Sequence, residues 1–345
     1  MKYSQMSRRK VRRDLGRRTM SGIIRLAIEG IQRMNDDPYD GESPLRINAF
    51  IHTVVLSGDW KTWKVDWDRI WKYFGDFYRD PNFVPSDRMP NYEKKWIGHR
   101  QKYKIILFTN RTNKYCAPYL MEIHMRENSS MTDLKNLLGD ISSFLPTWKV
   151  SRVDYTLDIF CYDQEAARRL FRHIKRNSYI PYKRRIKLYA EKGVEWGDET
   201  RMNIVYRISD VNFYERGPDN KKVKDHWLMK DIDRVRLEYS ASRRTLSKHG
   251  ITKIIDLIKN PKFYNINEGI YEFRCFRGSK KLPEVWEKYP TPDEDGNMGA
   301  FQLEVMGHPD KVKNIHQYIT DIGEFDVLKS SLINEMKMFD SIWGV

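Results

Sequence analysis

The chain has 345 residues, 40% of them hydrophobic and 13% aromatic, which is enough apolar surface to build a packed core and excludes disorder as the default. Lys and Arg number 62 against 47 Asp and Glu, which gives a net charge of +15. The basic residues are spread along the whole chain, so nucleic acid is the first candidate partner. No apolar run is long enough to cross a bilayer and the N-terminus lacks an apolar signal core, so we expect a cytoplasmic protein with no membrane partner.

The N-terminal segment, residues 1–45, is interpreted as a basic arm joined to a helix. Met1 to Arg18 holds eight Lys or Arg against one Asp, and apolar residues follow at helical spacing from Ile23 to Ile31. Such an arm either contacts phosphates or is a solvated terminus, and the pattern leaves both open. A segment rich in Pro, Gly and Asp, residues 35–43, ends the helix.

Residues 46–260 have the pattern of an α+β domain with a central antiparallel or mixed β-sheet and helices packed on one face. Strands are predicted at 48–56, 104–110, 119–126, 150–160, 202–208, 211–216 and 234–241, and helices at 131–144, 164–177 and 251–259. The aromatic segment 60–78 is interpreted as a helix packed on the sheet rather than a DNA platform. Residues 261–345, with a last helix near 325–339, are predicted to form a C-terminal accessory region.

The three cysteines, Cys116, Cys161 and Cys275, are far apart and form no CxxC pair. Neither a disulfide framework nor a zinc site is therefore indicated, and buried small residues are the simplest interpretation.

Charged residues occupy one face of the strand that follows Val150. Alternation places Arg152, Asp154 and Asp158 on one side and apolar residues on the other. A charged strand face meets either solvent or a site, and for one strand taken alone solvent is the commoner answer.

Two further strands repeat this arrangement. They group Glu122, His124 and Arg126 on one strand, and Arg234, Arg236 and Glu238 on the other. If the three strands are neighbours in one sheet, Glu122, Asp154 and Glu238 converge, and such hard oxygen ligands with one imidazole suit Mg²⁺ or Mn²⁺.

A fourth strand, 211–216, carries Tyr214 on the same side as Asn212 and Arg216. A phenol has a pKa of about 10, so it attacks phosphorus only where a metal, a base or nearby cations stabilise the phenolate. A tyrosine at the end of a strand is by itself more often a core or surface residue than a nucleophile.

The order of these strands resembles that of rolling-circle replication initiator endonucleases of the filamentous-phage, plasmid and integrative-element type. The motifs that carry the resemblance are Ser151-Arg-Val-Asp154, Phe213-Tyr-Glu-Arg216 and Val235-Arg-Leu-Glu-Tyr239, the last leading into residues 243–250. It covers roughly residues 102–259, and each motif is short, so their combined order carries the specificity.

The resemblance implies a role for each matching residue. It implies Tyr214 as nucleophile, Arg216 as the cation beside it, and Asp154 and Glu238 as metal ligands, with Glu122, His124 and Asp158 as further candidate ligands. Candidate DNA-binding residues are Arg152, Arg236, Arg207, Arg243 and Arg244.

The chain departs from the family pattern in two places. The paired-histidine signature of the wider superfamily is absent, and Tyr206-Arg-Ile-Ser209 replaces a glycine-serine motif, which leaves Tyr206 as an alternative nucleophile.

The expected function is metal-dependent nicking and rejoining of DNA through a 5′-phosphotyrosine, which starts rolling-circle replication of a phage, plasmid or mobile element. The expected partner is single-stranded or supercoiled origin DNA, with a host helicase and polymerase as further candidates. Two alternatives remain open at this stage: a sequence-specific DNA-binding protein without catalysis, and a metal-dependent nuclease that uses water.

Overall fold

The computed structural model describes residues 46–59, 61–83, 91–126, 129–161, 178–179, 186–192, 202–208, 211–215, 234–276, 319–321 and 326–344, and single helical positions at 167, 170, 171 and 174. The predicted basic arm and helix of residues 1–45 lie outside the described residues. So does most of the predicted helix 164–177, although its four described positions are helical.

The fold is α+β, as predicted. The strands are β1 (Ile47–Ser57), β2 (Tyr78–Arg79), β3 (Tyr92–His99), β4 (Tyr103–Arg111), β5 (Leu120–Met125), β6 (Lys149–Phe160), β7 (Ser178–Tyr179), β8 (Ile186–Lys192), β9 (Met202–Ile208), β10 (Val211–Glu215), β11 (Arg234–Ser242), β12 (Glu272–Phe276) and β13 (Ile319–Asp321). The helices are α1 (Trp63–Phe74), α2 (Met131–Phe144), α3 (Arg243–Lys248), α4 (Ile254–Lys259), α5 (Phe263–Asn267) and α6 (Asp326–Trp343).

The chain divides into two compact units that alternate along the sequence. Unit A comprises residues 49–156, 239–266 and 336–345, and unit B comprises residues 1–48, 157–238 and 267–335. Strands β6 and β11 contribute residues to both. Neither unit ends at residue 260, where the sequence pattern predicts a domain boundary.

Unit A contains a sheet with the strand order β2-β3-β4-β5-β1-β6-β11. The registers described for β1 with β5 and for β2 to β5 are antiparallel. Thr53 lies opposite His124, and Val55 lies opposite Glu122. His124 also lies opposite Lys104 of β4. These registers bring polar side chains of several strands onto one face.

Helices cover the other face of the unit A sheet. Trp67 and Trp71 of α1 contact the ring of Trp96, with centroids 5.9 and 5.4 Å apart. Farther along the sheet, Tyr155 of β6 contacts Phe263 of α5 at 5.0 Å. Because side chains alternate along a strand, this face lies opposite that of Asp154. The prediction of helices on one face is thus supported for unit A.

Helix α2 begins at a capping box, in which Ser130 accepts from the Asp133 amide and Asp133 accepts from the Ser130 amide. Its apolar residues recur at helical spacing and are buried; they are Leu134, Leu137, Leu138 and Ile141. The predicted bounds of this helix, 131–144, are confirmed.

The end of α6 packs within unit A. The ring of Phe339 lies 5.0 Å from Phe263, and the Trp343 indole donates to the Ile258 carbonyl at 2.9 Å. Asp340 accepts from the amides of Phe263 and Tyr264 at 2.7 and 2.9 Å, which satisfies the first turn of α5. Part of the predicted accessory region therefore completes the core of unit A.

Unit B contains the strand order β6-β11-β10-β9-β8 and a three-stranded sheet in the order β13-β12-β7. Its core includes Val211 and Phe213 of β10 and Val235 and Leu237 of β11, which are all buried. No helix among the described residues is long and apolar enough to span a membrane.

Candidate functional site

Four ionisable side chains gather on the face of the unit A sheet opposite α1 and α5. We call Glu122, His124, Arg152 and Asp154 the carboxylate cluster. Glu122 and His124 share a face because they are two residues apart on β5, and Arg152 and Asp154 are related in the same way on β6. The sequence pattern predicted both pairs, and the structure brings the two pairs together.

Glu122 is buried, at 7% exposure. Its Oε2 lies 3.1 Å from Nε2 of His124, and an ionised carboxylate can only accept, so Nε2 donates. Burial raises the pKa of Glu122, but the hydrogen bond from His124 and the charges of His124, Arg152 and Lys95 outweigh burial and hold the pKa below its ordinary value of 4.5. Glu122 is therefore a carboxylate at neutral pH.

Arg152 bridges the two acids of the carboxylate cluster. Its Nη2 lies 3.8 Å from Glu122 Oε1, and its Nε lies 3.1 Å from Asp154 Oδ1. The guanidinium is 35% exposed, whereas Glu122 and Asp154 are buried. Arg152 thus contacts two buried acids at once, and water can reach its guanidinium from one side.

Two polar residues of β1, neither of which was predicted from the sequence, support His124. The Thr53 hydroxyl lies 3.3 Å from His124 Nδ1 and 3.4 Å from His52 Nδ1, and Thr53 is buried. The two imidazole rings meet edge to face at 6.3 Å. The signal was present in the sequence, because His52-Thr53 interrupts an otherwise apolar strand centre.

Asp158 lies in unit B, where its carboxylate accepts hydrogen bonds from two arginines. Arg236 donates to Asp158 Oδ1 through Nε at 2.6 Å and to Oδ2 through Nη2 at 2.7 Å, and Arg234 donates to Oδ2 at 2.9 Å. All three side chains are buried. Both oxygens of Asp158, a predicted metal ligand, are therefore bound by guanidinium groups, and Arg236, a predicted DNA contact, lies in a buried ion pair.

The strand of Tyr214 lies beside the Arg-x-Glu strand in unit B. Asn212 of β10 donates to Glu238 Oε1 of β11 at 3.2 Å. Tyr214 follows two residues later and is paired with Val205, while Tyr206 is paired with Phe213. The side chains of Tyr214, Tyr206 and Arg207 are outside the described ones, as is the whole of Arg216.

Arg243 and Arg244 are exposed at the first turn of α3, immediately after β11. Both were predicted to bind DNA, and both are accessible. Of the cysteines, Cys161 is buried and Cys116 is partly buried, while the side chain of Cys275 is outside the described ones.

The predicted convergence of three metal ligands is not present among the described side chains, where no group of three His, Cys, Asp or Glu could hold a metal ion. Two donors, Glu122 and His124, are in contact, and Arg152 occupies the position between Glu122 and Asp154. The Arg152 guanidinium therefore lies at the position that a metal cation would take between Glu122 and Asp154. The donor set suits a hard divalent ion only if Arg152 leaves this bridge.

No protein-family model matches this chain, and no curated protein matches it. Among solved structures, the chain is similar to the rolling circle replication initiator protein from Geobacillus stearothermophilus. That similarity has 10% sequence identity and a TM-score of 0.37, and it covers 76% of this chain and 96% of the other. At these values no residue role is transferred from it.

Proposed function

We propose that this protein is a replication initiator that nicks and rejoins one DNA strand at an origin. The observation that carries the proposal is the carboxylate cluster, in which Glu122, kept ionised, contacts His124 and shares Arg152 with Asp154. Ionisable groups whose pKa is shifted by burial together with a specific charged partner cluster at functional sites.

The proposed nucleophile is Tyr214. Its phenolic oxygen bonds to the scissile phosphorus as the bond from phosphorus to the 3′ oxygen breaks; the phenol loses its proton and the released 3′ oxygen gains one. The 5′-phosphotyrosine keeps the energy of the phosphodiester, so rejoining needs no ATP. The hydrogen bond from Asn212 to Glu238 supports this assignment, because it links the strand of Tyr214 to the Arg-x-Glu strand.

A divalent cation, Mg²⁺ or Mn²⁺, is part of the proposal. Glu122, His124 and Asp154 are its proposed ligands in unit A, which requires Arg152 to leave the bridge and these three side chains to move closer together, and Glu238 is the proposed ligand in unit B. When bound, the ion would polarise the scissile phosphate. Arg243 and Arg244 are the proposed phosphate contacts, since both are exposed.

The test is a labelled single strand, or supercoiled origin DNA, incubated with the protein and Mg²⁺ or Mn²⁺, followed by separation of covalent adducts under denaturing conditions. The wild type is expected to form an adduct that Tyr214→Phe abolishes and Tyr206→Phe retains. An adduct that persists in Tyr214→Phe and disappears in Tyr206→Phe would transfer the role to Tyr206.

Two other outcomes would overturn the proposal. Cutting without an adduct in the wild type and in Tyr214→Phe indicates a nuclease that uses water. Tight binding of the wild type without any cutting indicates a DNA-binding protein without catalysis.

A further inference from the structure

An exposed aromatic ring stands among cations at the β2-β3 side of the unit A sheet. We call Tyr78, His99, Arg100, Lys104 and Arg126 the edge cluster. The Tyr78 side chain is 52% exposed and stacks on the His99 ring, with centroids 6.0 Å apart and planes 16° from parallel. The Tyr78 hydroxyl lies 3.3 Å from His99 Nε2, and Arg126 Nη2 lies 3.3 Å from His99 Nδ1. The ring is thus held in place and still reaches solvent.

The edge cluster has an excess of positive charge. His99 lies opposite Lys104 in the register of β3 and β4, and Arg100 is anchored to the His99 carbonyl at 2.8 Å. Nearby Lys95 is already neutralised by Asp80 at 2.9 Å. In the described ranges, no carboxylate forms an ion pair with Arg100, Lys104 or Arg126.

The cations of the edge cluster repel one another. Burial, together with the charges of Lys95 and Arg126, lowers the pKa of Lys104, although Asp80 and Glu122 oppose the shift. Burial and the charges of Lys104 and Arg126 lower the pKa of His99. An anion placed beside these groups would relieve that repulsion.

We infer that the edge cluster binds a single strand of nucleic acid, with a base stacked on Tyr78 and adjacent phosphates on Lys104 and Arg126. The combination of an accessible ring with flanking cations is the chemistry of such binding, because every base has a face that can stack and every nucleotide carries a negative charge. A free phosphate needs no ring. The inference rests on the proposed function only in taking the bound strand to be origin DNA.

The experiment measures fluorescence anisotropy of a labelled dT oligonucleotide of about 16 residues, without metal and at several salt concentrations. Tyr78→Ala is expected to weaken binding about tenfold, whereas Tyr78→Phe keeps the stacking ring and most of the affinity. Lys104→Gln and Arg126→Gln are each expected to weaken binding and to reduce the slope of log affinity against log salt by about 0.7.

Tyr115 and Lys114 provide a matched control. Tyr115 is 82% exposed, and the Lys114 ammonium lies 5.2 Å from its ring centroid. Tyr115→Ala and Lys114→Gln therefore remove an exposed ring and a neighbouring cation elsewhere in unit A, and they should leave the affinity unchanged. Thermal unfolding of each variant checks that the sheet remains folded.

Two results would overturn the inference. Tyr78→Ala that binds dT as tightly as wild type removes the stacking role, and an equal loss in Tyr115→Ala shows that any exposed ring contributes alike. The proposed function is judged separately by adduct formation. An adduct together with unchanged binding by Tyr78→Ala contradicts only the inference, while Tyr78-dependent binding without any adduct contradicts only the proposed nicking.

Discussion

Arg236 donates a hydrogen bond to each carboxylate oxygen of Asp158, at 2.6 and 2.7 Å. Arg236 is 2% exposed and Asp158 is 0% exposed. Arg234 adds a third hydrogen bond to the same carboxylate at 2.9 Å. Buried ions are tolerated only when paired and hydrogen-bonded, so this geometry assigns the three residues to the core of unit B.

Arg236→Leu is expected to lower the free energy of unfolding by about 3–5 kcal/mol, because it leaves part of a buried negative charge without its partner. Urea unfolding followed by circular dichroism measures the change. Lys95→Leu removes a more exposed pair with Asp80 and should cost less. Equal losses in the two variants would contradict the assignment of Arg236 to the core.

Glu122 should make stability depend on pH on the acid side. Its folded pKa lies below the ordinary value of 4.5, so its ionised form stabilises the fold above pH 4.5 and this contribution is lost as pH falls through the folded pKa. The stability difference between wild type and Glu122→Gln should therefore be largest near neutral pH and shrink in acid. Urea unfolding at pH values from about 3 to 7 measures it.

Glu93 supplies the control for this prediction, since it is an exposed glutamate on β3. Because its side chain is exposed, Glu93→Gln should change the free energy of unfolding by less than about 0.5 kcal/mol. A difference for Glu122→Gln that stays constant across the range would show that the carboxylate contributes no charge-dependent stability.

Arg152 is predicted to compete with a divalent cation at the carboxylate cluster. Arg152→Gln removes a positive charge that lies 3.1 Å from Asp154 and 3.8 Å from Glu122, so Mn²⁺ affinity should rise at least about tenfold. Titration calorimetry or the electron paramagnetic resonance signal of free Mn²⁺ measures the affinity. Adding Glu122→Gln to this variant should reverse the gain, and a gain that persists would place the ion elsewhere.

Phe339→Ala is expected to destabilise unit A by about 3–5 kcal/mol, because Phe339 is 7% exposed and packs on Phe263. Met338 precedes it on the same helix and is 48% exposed, so Met338→Ala should change stability by less than about 0.5 kcal/mol. Chemical unfolding of both variants decides the matter. Similarly small stability changes in both variants would show that residues 336–345 contribute little to the core of unit A.

The elements with clear periodicity were predicted well, because their local pattern agrees with their tertiary environment. Helix α2 has the predicted bounds, and β6 differs from its prediction by one residue, at its start. Six strands were not predicted: β2, β3, β7, β8, β12 and β13. In β3 the alternation is weak, because Lys94, Lys95 and Trp96 form a half-buried run.

Of the candidate site, the sequence predicted only which two residues share a face within each strand. Alternation identified Glu122 with His124 and Arg152 with Asp154, since residues two apart on a strand share a face. For the same reason, alternation gave Asp154 and Asp158 the same predicted role as metal ligands on one strand face. It could not reveal Thr53 behind His124, because the contact joins residues 71 apart in sequence.

The sequence by itself determined the basic charge, the α+β class and the charged strand faces, since these follow from composition and from patterns within single strands. Only the tertiary structure decided which charges meet: Asp158 is neutralised in the core by Arg234 and Arg236, and Glu122 is held ionised beside His124 and Arg152. The reason is physical, because the state of a carboxylate depends on burial and on cations a few ångströms away, and strand pairing places those cations there from distant parts of the chain.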